Sequence, residues 1–247
     1  MTPPAAVVLA GSRGGTDPVA DYAGVSDKAL IELGGRTMLA RVVAALREAG
    51  VERIAVSAGG TVADAARALR AEPIAPAAGP SASTAAALER LGAPLLVTTA
   101  DHALLRPEWV VDFLTAVPRD ADVAVLLARR DAVEAAAPGS RRTYLRFADG
   151  DWSGCNLFLL ATPRAVAAVR LWQSVERDRK RPWRIVRRLG PGLLFRYLLG
   201  RLSLADAVAA LGRRVGVTAA VVACPDGLAA VDVDKPADLD FVRTRVS

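Results

Sequence analysis

The chain has 247 residues, is 52% apolar and 5% aromatic, and carries a formal charge of +6. That is enough apolar material for the core of one α/β domain with an insertion, and its two distant cysteines, Cys155 and Cys224, argue against a disulfide framework and fit a reducing cytoplasm. No apolar run is long enough to span a bilayer and Met1–Ala10 lacks a basic leader, so a cytoplasmic protein is expected.

Ala5–Leu9 is predicted as the first strand. A loop with Ser12, Arg13, Gly14, Gly15 and Thr16 follows, and a polar stretch closes on Asp27-Lys28-Ala29-Leu30. Met38–Ala49 reads as a helix, because Leu39, Val42, Val43 and Leu46 recur at helical spacing before Gly50. Arg53–Ser57 is the next strand, Thr61–Arg70 a helix and Pro73–Ala78 a short extended segment. Ser83–Leu91 is a helix after Gly79-Pro80-Ser81, and Pro94–Thr99 a central strand ending on Ala100-Asp101-His102. Pro107–Ala116 is a helix and Val123–Ala128 a buried strand. Tyr144–Phe147 and Asn156–Leu160 flank an Asp149-Gly150 turn. Arg164–Val215 is helical and basic, Val217–Val222 a strand, Ala230–Asp234 a short strand or turn, and Ala237–Val242 a closing helix. This alternation predicts a three-layer α/β sandwich with a mostly parallel central sheet: a core of 1–163 and 217–247, and a helical basic insertion at 164–216.

The first loop is suited to a phosphate chain. Glycine lets backbone N–H groups approach phosphate oxygens, and Arg13 and Lys28 supply positive charge; the plain alternative is a turn. Neither P-loop nor dinucleotide-fingerprint spacing is present, since the glycines are Gly11, Gly14 and Gly15. The run Leu9-Ala10-Gly11-Ser12-Arg13, then Lys28-Ala29-Leu30, Gly34-Gly35 and Met38-Leu39, resembles the N-terminal signature of the MobA-like NTP transferases. It departs at Asp27, where the family has proline, and in the length of the loop. The resemblance implies a nucleotide-diphospho-sugar transferase (GT-A-type) fold. It also implies a Mg²⁺-dependent nucleotidyl transfer from an NTP, CTP or GTP, to a phosphorylated acceptor.

Asp101 lies just past the carboxyl end of a central strand, where ligands of open α/β sheets bind, and the resemblance makes it a metal ligand and catalytic residue beside Arg13 and Lys28. The alternative is an Asp that caps the next turn. Val231-Asp232-Val233-Asp234-Lys235-Pro236-Ala237-Asp238-Leu239 resembles the family's closing motif, which makes Asp234 the second metal ligand and Asp232 its support; Asp234 could instead cap the helix near Pro236. Mg²⁺ suits such a set, being content with two carboxylates plus phosphate and water. His102, the single histidine, is read as packing locally.

Related enzymes read the base and ribose at the position of Gly79, Pro80, Ser81 and Ser83, so these join Leu9, Ala10, Gly11, Ser12, Arg13 and Lys28 as nucleotide-binding residues; a plain helix N-cap is the alternative. Ser153-Gly154-Cys155-Asn156 resembles the segment lining the acceptor side, with Gly154 and Asn156 the contacts, or else it is a tight turn. Residues 164–215 hold thirteen Arg or Lys against three acids, +10 against −4 for the rest of the chain. With Trp172, Trp183 and the leucine-rich 193–199, the stretch 177–201 could meet an anionic membrane at the inner face, shape an acceptor pocket or form a dimer face; solvated arginines are the plain reading. No nucleic-acid module accompanies the charge. A GT-A glycosyltransferase is disfavoured because Asp101 is followed by His102-Ala103 rather than a second Asp. A non-catalytic nucleotide-binding or membrane-surface adaptor is the remaining alternative.

Overall fold

Runs of small and β-branched residues form strands buried on both faces, as strands sandwiched between helices must be. The computed structural model describes residues 3–11, 17–140, 142–177 and 182–246. In chain order the first half holds β1 (Ala5–Leu9), α1 (Pro18–Ala23), β2 (Glu32–Leu33), β3 (Arg36–Thr37), α2 (Met38–Glu48), β4 (Ile54–Ser57), α3 (Gly60–Ala68), β5 (Glu72–Ile74), α4 (Pro80–Leu91) and β6 (Leu95–Thr99). The second half holds α5 (Pro107–Ala116), β7 (Val123–Arg129), α6 (Arg130–Ala136), β8 (Leu145–Phe147), β9 (Gly150–Leu160), α7 (Val166–Arg177), α8 (Pro182–Leu198), α9 (Leu204–Arg214), β10 (Ala219–Cys224) and α10 (Pro236–Arg243).

The main sheet runs β10-β7-β9-β6-β1-β4-β5, with β8 paired to β9. Most neighbours are parallel; β9 is antiparallel to both β6 and β7. From β1 the chain moves to β4 and β5 on one side, then returns to β6 on the other. That reversal opens a crevice beyond the carboxyl ends of β1 and β6, which places ligand-binding loops there. Helices α2, α3, α5 and α10 cover one face, where Leu39, Val42, Leu46, Val62, Phe113 and Leu239 are buried in the main core cluster. Helices α4 and α7 cover the other, around Val7, Ala87, Leu95, Val97 and Val169. Each Val, Leu or Phe among them contributes about 1.5–3 kcal/mol on burial.

Several local expectations are corrected. The loop before Lys28 contains α1, capped by Asp17, whose carboxylate accepts from Val19 and Ala20 N–H. Helix α4 starts at Pro80 rather than Ser83, since proline is well suited to a first turn. Strand β9 begins at Gly150 rather than Asn156, because its polar first half pairs with β8 and the end of β7. Residues 227–230 form a 3-10 turn, and 231–234 stay extended without pairing. The helical stretch is stitched to the core at both ends: Val169 of α7 joins the core under α4, and Leu204 of α9 packs on Leu127 and Trp152. Helix α8 is kinked where Gly190, at φ 73°, precedes Pro191. Among the described residues no helix is long and apolar enough to cross a membrane.

Candidate active site

The crevice at the end of β6 gathers three charged residues from distant parts of the chain. Lys28 opens a 3-10 turn, Lys28–Leu30, whose N-cap is Asp27; the Asp27 carboxylate accepts from Ala29 N–H at 2.9 Å. The Asp that stands in place of proline therefore sets the local conformation in another way. Lys28 Nζ lies 2.6 Å from Asp101 Oδ2, 3.5 Å from Asp234 Oδ1 and 3.4 Å from the Val233 carbonyl oxygen. Val233 N–H donates to the Asp101 carbonyl at 3.0 Å, which ties the closing motif to the loop after β6. Asp101 is largely buried and Asp234 is exposed. Asp101 Oδ1 is buried and, among the described residues, has no hydrogen-bond partner, an orphan acceptor beside a cation. Burial works against the Lys28 charge, but Asp101, through charge and hydrogen bond, and Asp234 outweigh it, so the amine titrates above its usual value.

The capping alternative for Asp234 does not hold. The N-cap of α10 is Lys235, and Asp238 Oδ2 accepts from both Asp234 N–H (3.1 Å) and Lys235 N–H (3.0 Å). Asp232 faces a different partner. Arg142, its side chain only 8% exposed, bonds the Asp232 carboxylate, donates to the Asp232 carbonyl at 2.7 Å and reaches Asp238 Oδ1 at 3.1 Å. Asn156 Nδ2 donates to Asp232 Oδ2 at 2.7 Å, and Asn156 itself has φ 47°, in the left-handed region. Together they fix the path of 232–234 and hence the approach of Asp234 to Lys28. Sequence reading missed Arg142: nothing in Ser140-Arg141-Arg142 tells one arginine from another before the fold is known.

Of the residues expected to bind nucleotide, Leu9 ends β1 and Ala10 follows it, its N–H donating to the Ser57 carbonyl at 3.0 Å. A Cβ on Gly11 would stand 3.2 Å from Pro76 Cβ, so Gly11 lies close against the segment leading to α4. Ser12 and Arg13 lie outside the described residues. Gly79 is the N-cap of α4 without a side-chain cap. Ser83 Oγ accepts from Ala77 N–H at 3.0 Å and is occupied locally. Ser81 donates its hydroxyl and, at 3.3 Å, its N–H to Glu176 Oε2 of α7. Glu176 is a second residue the sequence reading did not single out. Gly154 lies on β9 with open space where a Cβ would be.

His102 packs locally, as expected. It is 1% exposed and stacked 6.1 Å from Trp109, with a ring nitrogen turned toward the Ala229 backbone. Burial above all pushes its pKa down to about 4, against the opposing pull of Asp101. A 690 Å³ cavity lined by Arg36, Arg41, Glu48, Leu104 and Arg245, among others, opens elsewhere and contains none of the expected site residues. Among the described residues no cluster of three or more His, Cys, Asp or Glu could hold a metal ion.

A family model described as the MobA-like NTP transferase domain matches residues 6–192. Among solved structures, a hypothetical transferase from Thermus thermophilus is 35% identical, with 96% of this chain and 99% of that one covered and a TM-score of 0.82. A CMP-2-keto-3-deoxy-manno-octonic acid synthetase complexed with CTP is 20% identical, with 98% of each chain covered and a TM-score of 0.56. Rv0371c from Mycobacterium tuberculosis, complexed with manganese, is 18% identical, with 97% of each chain covered and a TM-score of 0.53. No curated protein matches the chain.

Proposed function

The chain belongs to the MobA-like NTP transferase family and is a nucleotidyltransferase of the nucleotide-diphospho-sugar transferase fold, and from that premise we propose that it moves an NMP from an NTP to a phosphorylated acceptor with release of pyrophosphate. The observation that carries this reading is the meeting of Asp101 and Asp234 on the Lys28 amine at the mouth of the sheet. Two carboxylates from opposite ends of the chain would repel without a cation, and the amine fills that role here. The donor set is oxygen only, with an Asp101 Oδ1 that has no partner among the described residues, which fits Mg²⁺. Asp101 and Asp234 would hold Mg²⁺, which supplies Lewis-acid polarisation of the α-phosphate and a template for substrate.

The reaction needs no covalent protein nucleophile. An acceptor phosphate oxygen attacks the α-phosphorus, and the bond to the β-phosphate oxygen breaks, with pyrophosphate carrying off the electron pair. Positioning and charge neutralisation supply the rate. Lys28 exchanges its carboxylate partners for phosphate oxygens, and Arg13 adds charge from the first loop. Leu9, Ala10, Gly11 and Ser12 bring backbone groups to the phosphates, and Gly79, Pro80, Ser81 and Ser83 border the base and ribose. Gly154 leaves room on the acceptor side, and Asn156, its amide nitrogen held by Asp232, has its carbonyl oxygen for an acceptor hydroxyl.

We take 1–163 and 217–247 as the transferase core and 164–216 as the insertion that selects the acceptor. Phe195, Leu198 and Leu199 are exposed at the end of α8, within a stretch of strong positive charge. That pairing supports a lipid-linked acceptor reached from the inner face of the membrane. Pyrophosphate release should be measured for the four NTPs with phosphorylated sugars, polyols and lipid head groups, in Mg²⁺. Release with one acceptor class supports the proposal. Nucleotide binding with no release for any acceptor favours the non-catalytic adaptor instead.

A further inference from the structure

The 690 Å³ cavity beside the loop after Asp101 is lined by four arginines, Arg36, Arg41, Arg106 and Arg245, and by one acid, Glu48. Among the described residues only Arg106 has a carboxylate partner, Asp226 at 3.3 Å, which does not itself line the cavity. Arg41 donates instead to two backbone carbonyls, Ala103 through Nε at 3.3 Å and Leu33 through Nη1 at 3.1 Å. Arg245 donates to the Ala136 carbonyl at 3.4 Å. Arg36 and Glu48 have no bonded partner among the described residues. A carbonyl orients a guanidinium without neutralising it, so the lining keeps a net charge of three positive. Arg41 is half-buried, and burial first and the nearby Arg36 charge second hold its guanidinium below the usual arginine range. Two like charges brought together with no acid between them work against the fold until an anion joins them.

We propose that this cavity is a second ligand site, separate from the nucleotide site, and that it takes a small organic molecule carrying two phosphate groups. Guanidinium groups match phosphate oxygens in pairs of parallel hydrogen bonds, which a lysine or a backbone amide cannot supply. A single phosphate would leave positive charge over, whereas two bring three or four negative charges to the three positive ones. The volume suits a ligand of sugar-phosphate size, and Leu104 and Leu228 supply apolar wall for its carbon frame. Arg41 is the anchor. Its two backbone bonds hold the guanidinium in place and leave Nη2 for the ligand, so little freedom is lost on binding. Neither Lys28 nor Asp101 lines the cavity, so the site does not depend on the metal or on the transferase reading.

The test is calorimetric titration of fructose 1,6-bisphosphate into the full chain in EDTA, where no divalent ion can bridge phosphates to Asp101 and Asp234. Fructose serves as the neutral control and citrate as a carboxylate of similar charge. The bisphosphate should bind at one site with a Kd below about 1 mM, fructose should not bind, and citrate should bind at least about tenfold more weakly. Arg36→Glu and Arg245→Glu should each weaken the bisphosphate about tenfold or more. Arg36 holds no other group in place, so its variant should melt as the wild type does. Lys28→Met should leave the affinity unchanged. No binding, binding that both charge reversals leave intact, or citrate as tight as the bisphosphate would overturn the proposal. Binding lost in Lys28→Met would assign the ligand to the mouth of the sheet, and binding that arises only after Ser247 is removed would make the end of the chain the occupant; either result overturns it too. None of these outcomes bears on nucleotidyl transfer, which pyrophosphate release tests separately.

Discussion

The mouth of the sheet and the helical stretch that follows β9 treat charge in opposite ways. At the mouth Asp101 and every acid of the closing motif meet a base from a remote part of the chain: Asp101 and Asp234 meet Lys28, and Asp232 and Asp238 meet Arg142. Along 164–215 the thirteen basic residues outnumber the acids by ten, and pairs such as Arg196 with Asp206 are exposed and close in sequence. Long-range, partly buried pairs fix geometry, whereas exposed local pairs contribute little to stability. The first region is thus a preorganised site and the second a charged surface. The two should answer differently to substitution.

The largest effect is expected from Asp101→Ala. Pyrophosphate release should drop by about a thousandfold or more, equivalent to roughly 4 kcal/mol of barrier, with the circular dichroism spectrum unchanged. Turnover near the wild-type rate at ordinary Mg²⁺ would mean that Asp101 does not serve the chemistry.

Arg142→Met should come next, this time in stability. The guanidinium is almost fully buried and removing it leaves Asp232 and Asp238 facing each other, so denaturant unfolding should show a loss of about 3–5 kcal/mol. Adding Asp232→Asn should restore part of it, since one of the stranded charges is then gone. A loss below about 1 kcal/mol would put this pair in the same class as the exposed ones.

Acid should find a third weakness at the mouth. His102 has a folded pKa of about 4, below its ordinary 6.5, so the unfolded chain binds the extra proton first. The stability associated with neutral His102 is complete above about pH 6.5 and is lost as pH falls toward 4, in total about 3 kcal/mol. In His102→Phe that share of the acid slope should vanish from urea midpoints measured between pH 7 and 4.5.

Lys28→Met should cost about 1–2 kcal/mol without a divalent cation, because Asp101 and Asp234 lose the charge between them. Mg²⁺ should then raise the melting temperature more in this variant than in the wild type, as the amine no longer competes for the carboxylates. Equal Mg²⁺ shifts in both would deny that the cation and the amine share the place.

The fold was legible because its signals are local and repeated: apolar runs for the strands, helical spacing in α2 and α3, a glycine closing α2 and a proline opening α5. The acids at 101 and 234 stood out through a motif that resembles a known one. What brings them together did not. Asp27 reads as a departure from the expected proline until its cap on Ala29 is seen, and Arg142 and Glu176 act only through partners 90 and 95 residues away. Helices α1 and α6 were overlooked because six or seven residues give too little periodicity to register.

The smallest effect on folding, and the sharpest contrast with the mouth, is expected from Phe195→Ser with Leu198→Ser. These side chains are 64% and 71% exposed, so their loss removes little buried area, and unfolding free energy should change by less than about 0.5 kcal/mol. If the helical stretch meets an anionic bilayer, the same change should sharply weaken co-sedimentation with vesicles containing phosphatidylserine. Raising salt should weaken the wild type too, because the arginines draw the surface close before the apolar residues insert. A second copy of the chain is a poor occupant for this face, since two patches of the same strong charge would repel. Salt-insensitive self-association that the double substitution abolishes would reverse that argument, and would make the stretch an interface built on its leucines and not on its charge.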